Sequence, residues 1–68
     1  MLKEIMISAA RKHAEAEIEL HKANIEVYMR QVVGIGEHSD IIETIQKELD
    51  AMAVANDRLE MLEKYFNE

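Results

Sequence analysis

From Leu2 to Val32 the residues fall on two separate tracks, each advancing by alternating steps of four and three. The first runs Leu2, Met6, Ala9, His13, Ala16, Leu20, Ala23, Val27, and the second runs Ile7, Arg11, Ala14, Ile18, His21, Ile25, Tyr28, Val32. At roughly 100° per residue, such steps hold a track on one side of an α-helix and set the two tracks about 140° apart. The remaining side collects Glu4, Ser8, Lys12, Glu15, Glu19, Lys22, Glu26 and Arg30, a charged strip suited to solvent. One neighbouring helix can cover one apolar seam. A helix with two seams calls for a second neighbour.

The chain has no proline, and its glycines are Gly34 and Gly36. Gly34 suits the left-handed position after a helix, with Ile35 folding back on the last turn. A nucleotide-binding use of Gly34-Ile35-Gly36 has little support, because the longer glycine fingerprint and a preceding strand are both missing. Asp40-Ile41-Ile42-Glu43 reads as a capping box opening a second helix that begins at Ser39 or Asp40. Its apolar residues are Ile41, Ile42, Ile45, Leu49, Met52, Ala55, Leu59, Leu62 and Phe66, flanked by Val54, Met61 and Tyr65. The pattern predicts an all-α single domain over residues 1–68, with helices over about 2–33 and 40–66 and a turn at 34–39. So short a turn makes the helices an antiparallel hairpin.

Ala9, Ala16 and Ala23 recur every seventh residue, and small residues allow close approach of a helix carrying larger ones. The alanine-lined seam is therefore expected against the second helix, with Ala23 near Leu49, Leu20 near Met52, Ala16 near Asn56 and Met6 near Phe66. The other seam, comprising Ile7, Ala14, Ile18, His21, Ile25, Tyr28 and Val32, is then the expected subunit interface. Two hairpins joined there would form a homodimeric four-helix bundle of coiled-coil type. The need for a partner follows from size. A chain of 68 residues buries a modest fraction of its surface and usually needs a disulfide, a metal or a partner subunit; with no cysteine, a metal or a partner remains.

Apolar residues make up 49% of the chain and charged residues 32%, a balance that favours folding over disorder. The net charge of −6 lies in the second half, where from Glu37 onward only Lys47, Arg58 and Lys64 oppose the carboxylates. That field repels phosphate backbones, so nucleic acid is not an expected partner. No apolar run approaches the ~20 residues of a membrane span, and the N-terminus lacks a signal-peptide pattern. Neither a membrane nor a cofactor is called for.

His13, Glu17 and His21 stand one helical turn apart, with Asn24 close behind, in the strip between the seams. Imidazole, carboxylate and imidazole at this spacing form a possible ladder for zinc or another divalent ion. One ion could not reach both histidines of one helix, since two turns separate them by roughly 12 Å, but a mate across a two-fold axis would supply enough ligands for a closed site. A hydrogen-bonded network that sets register is the favoured reading, with metal second. Asn56 is the other polar candidate for the core, with Asn24 or a symmetry mate as partner, unless it sits at the exposed edge of the seam. Glu37-His38-Ser39-Asp40 holds the residue types of a hydrolase triad, but sequence neighbours cannot adopt triad geometry, and capping is favoured. Met6, Met29, Met52 and Met61 are expected as core filler.

Three stretches carry a resemblance: His21-Lys22-Ala23-Asn24-Ile25-Glu26-Val27-Tyr28, the turn Val33-Gly34-Ile35-Gly36-Glu37-His38-Ser39-Asp40, and Leu59-Glu60-Met61-Leu62-Glu63-Lys64-Tyr65. Together they resemble small helical proteins encoded by tailed marine phages, including those infecting cyanobacteria. That group often carries Asn-Pro where this chain has Gln31-Val32, a departure that lets the first helix run further here. The resemblance covers most of the chain and implies a phage genome and the cytoplasm of a bacterial host. It implies no catalytic residue, since no activity or site is established for the group. The expected function is that of a non-enzymatic, homo-oligomeric accessory protein with a possible host or phage protein partner. The alternative is a metal-binding bundle using His13, Glu17 and His21.

Overall fold

A computed structural model describes residues 2–31 and 39–67 of the chain, and the described residues are all-helical. Helix α1 spans Leu2–Gln31 and helix α2 spans Ser39–Tyr65. The expectations for Val32, for the turn around Gly34 and for His38 lie outside the described residues. Each helix has an acidic residue in its first turn, Glu4 or Asp40, and a basic one in its last, Arg30 or Lys64. These charges complement the helix dipole at both ends. Helix α2 starts at Ser39, one of the two starts expected for it, so Asp40 lies inside its first turn. There the Asp40 carbonyl accepts from Thr44 Oγ1 at 2.9 Å. At the other end Phe66 N donates to Leu62 O at 2.9 Å, continuing the helical ladder one residue past Tyr65.

The helices pack side by side and antiparallel, the N-terminal part of α1 near the end of α2 and Asn24 beside Glu48. The result is a rod of 54 × 15 × 11 Å with a radius of gyration of 15.7 Å. A compact chain of this length would have a radius of about 11 Å. Among the described residues the buried apolar side chains are Ala14, Ile25 and Ala55. Two helices in contact along a line enclose no more than this.

The seam that α2 covers is the one holding Ile7, Arg11, Ala14, Ile18, His21, Ile25 and Tyr28, all buried or half-buried. The expected pairing of the alanine-lined seam with α2 is corrected accordingly. Leu2, Met6, Ala9, His13, Ala16, Leu20, Ala23 and Val27 are all exposed. The residues anticipated as a subunit interface therefore face the chain's own second helix. The axial register is as expected, since Asn24 lies beside Glu48, one position along from Ala23 and Leu49; the faces are rotated. The small residues that permit close approach come from Ala14 on α1 and from Ala51 and Ala55 on α2.

On α2 the covered positions include Ile41, Ile45, Glu48, Met52, Ala55, Leu59 and Leu62, a run of four and three, with Thr44 and Ala51 beside it. Ile42, Leu49 and Phe66, expected on this face, are exposed, as is Asn56. Of Met6, Met29, Met52 and Met61, Met52 is half-buried and the other three are exposed, so the core-filler expectation holds for Met52 alone. Burial separates the isoleucines energetically. Ile25→Ala should lower the unfolding free energy by about 2–4 kcal/mol, and Ile42→Ala by less than about 1 kcal/mol. Urea midpoints at unchanged slope check both values.

Candidate functional site

Glu48 is the polar member of the otherwise apolar run on α2, and the run's period carries its carboxylate into the contact with α1. Two α1 residues meet it there. Glu48 Oε2 lies 2.5 Å from His21 Nδ1, and Asn24 Nδ2 donates to Oε1 at 3.2 Å and to Oε2 at 3.3 Å. The His21 and Glu48 side chains retain about a fifth of their exposure, 21% and 17%. The His21 hydrogen bond is the main influence holding the Glu48 carboxyl below its ordinary 4.5. Partial burial works against it, while the Asn24 bond and the charge of His21 add to the lowering. At neutral pH the carboxylate is ionised and can only accept, so the proton in the short contact sits on His21 Nδ1.

The second polar group lies further along the rod. His13 Nε2 approaches Glu17 Oε1 at 3.0 Å across one helical turn, and Arg58 Nη1 of α2 approaches the same oxygen at 3.6 Å. That oxygen is shielded from solvent and has no well-directed hydrogen bond. His13 and Arg58 are well exposed, so the pairing is screened by water and contributes at most about 1 kcal/mol.

The ladder anticipated on α1 is thus divided between two clusters. His21 and Asn24 turn to Glu48, whereas His13 and Glu17 turn to one another and to Arg58. His13, Glu17 and His21 do not converge on one point, and among the described residues no group of three His, Cys, Asp or Glu side chains could hold a metal ion. Asn24 meets Glu48 in place of Asn56. Glu48 itself escaped the sequence analysis because Leu49 beside it is the more apolar residue. The signal was its spacing, since the steps from Ile45 to Glu48 to Met52 are three and four.

Comparison with protein-family models, curated proteins and solved structures finds no match to this chain. What the geometry supports chemically is recognition between helices. A carboxylate held by an imidazole and an amide from a facing helix aligns the two at one register and penalises any slip. Among the described residues no helix is long and apolar enough to cross a membrane.

The depressed acidity of Glu48 sets the direction of a pH effect. Its folded value lies below its unfolded one, so its contribution to stability is full above the ordinary carboxyl value and is lost as pH falls through the depressed value. The stability gap between the wild type and Glu48→Gln should therefore shrink between about pH 7 and about pH 3 in urea melts. A gap of equal size at both pH values would mean that the charge of Glu48 contributes nothing.

Proposed function

We propose that this chain is a non-enzymatic, homo-oligomeric helical interaction protein, in which two hairpins complete one another as a four-helix bundle. The observation that carries this reading is the uncovered seam of α1. Leu2 is 69% exposed, Met6 62%, Leu20 56% and Val27 50%, all along one side of one helix. Aligned apolar side chains of this size in water mark an association surface rather than the scattered apolar residues of an ordinary exterior. The thin core of the rod is the second support, since a chain of this size gains stability by burying more surface in a partner.

The interhelical bonds of His21, Asn24 and Glu48 favour a structural role for these groups over a catalytic one. The resemblance of the turn and of Leu59–Tyr65 to phage-encoded helical proteins supports an accessory role inside an infected bacterial cell. The partner beyond a second copy would then be a host or phage protein.

Sedimentation of the full chain at micromolar concentration should give twice the chain mass. Leu20→Glu places a carboxylate in the seam and should weaken self-association at least tenfold, about 1.4 kcal/mol or more. A wild-type chain that sediments as a monomer under these conditions removes the reading.

A further inference from the structure

The exposed seam of α1 has an internal order beyond its apolarity. In heptad terms one of its two positions holds Met6, His13, Leu20 and Val27, while the other holds Ala9, Ala16 and Ala23 after Leu2. Parallel copies would set like against like. Alanine layers would then alternate with layers of two larger side chains, leaving gaps at the alanines or strain between them. Antiparallel copies set the two positions against each other.

We propose that two copies join through this seam with their first helices antiparallel, the two-fold axis passing between His13 and Ala16; this rests on the self-association proposed above. In that register Met6 meets the partner's Ala23, Leu20 meets the partner's Ala9, and His13 meets the partner's Ala16. Every one of these layers holds one small and one larger side chain, so the backbones stay evenly spaced along the contact. Leu2 against the partner's Val27 closes each end.

Charge favours the same helix as the centre of contact. Over Leu2–Gln31 five basic residues balance five acidic ones, whereas Ser39–Tyr65 holds three basic residues against seven acidic. An interface centred on α1 joins two neutral helices, and one centred on α2 would join two acidic ones.

Area brings in a flank of α2 as well. The seam is about 38 Å long, and a band about 10 Å wide supplies on the order of 400 Å² per copy. A standard stable interface takes about 800 Å² per partner. Ala10, His13 and Ala14 of α1 and Arg58 and Met61 of α2 line one open groove of about 370 Å³, so α2 borders the seam at His13. Ala14 lies at the level of Asp57 and Arg58 in that groove. The axis through α1 therefore passes α2 close to these two residues.

The absence of cysteine makes any introduced thiol unique. The test compares Met6→Cys, Ala23→Cys and the double variant, with oxidation or a short bis-maleimide, on non-reducing gels. Both positions are exposed in the single hairpin, so neither change disturbs its packing. The double variant should yield mostly cross-linked dimer. Each single variant should yield almost none, because like positions would stand about 25 Å apart in the antiparallel register. Efficient linkage of Met6→Cys alone, or a sedimenting dimer that the double variant fails to link, overturns this arrangement and leaves self-association standing. A wild-type monomer in sedimentation overturns both.

Discussion

The carboxylate of Glu48 decides which side of the first helix faces the second. The spacing of α2 places this group among Ile45, Met52 and Ala55, where it loses much of its water. A carboxylate in that position needs donors from the facing helix, and leaving it without them is costly. At the matching level one seam of α1 presents His21 with Asn24 beside it, and the other presents Leu20 and Ala23. Only the first can satisfy Glu48. The two seams have comparable apolar content, so burial alone does not choose between them.

That choice determines the rest. Once His21 and Asn24 turn inward, Ile18 and Ile25 follow them against α2, and Ala14 and Ala55 bring the backbones close. Leu2, Met6, Leu20 and Val27 are left outside on the same helix. The hairpin thus shows water a coherent apolar seam as a direct result of satisfying one polar group. In this protein a half-buried hydrogen-bonded cluster and an exposed apolar seam are two consequences of one rotation of α1.

The division of the histidines follows as well. His21 is held at the contact between the helices, while His13, two turns earlier and about 80° further round, remains near the exposed seam. Glu17 lies between them and approaches Arg58 of α2. Their spacing on the sequence suggested a single ladder, but helix packing assigns its members to different neighbours. Spacing along one helix says which side chains are close to one another, and it says nothing about which partner draws each of them.

The sequence by itself determined the two helices, their antiparallel order, their axial register and the presence of two seams on the first. These properties follow from local propensity and from the period of the α-helix, which act within one segment. Which seam the second helix covers was decided only in the tertiary structure. Two seams of equal period are equivalent until the facing surface is known, and that surface contains Glu48. A strict count of four and three on α2 places Glu48 in the contact, yet its need for His21 and Asn24 becomes visible only when both helices are present. Polar satisfaction is a property of the pair, and no single segment encodes it.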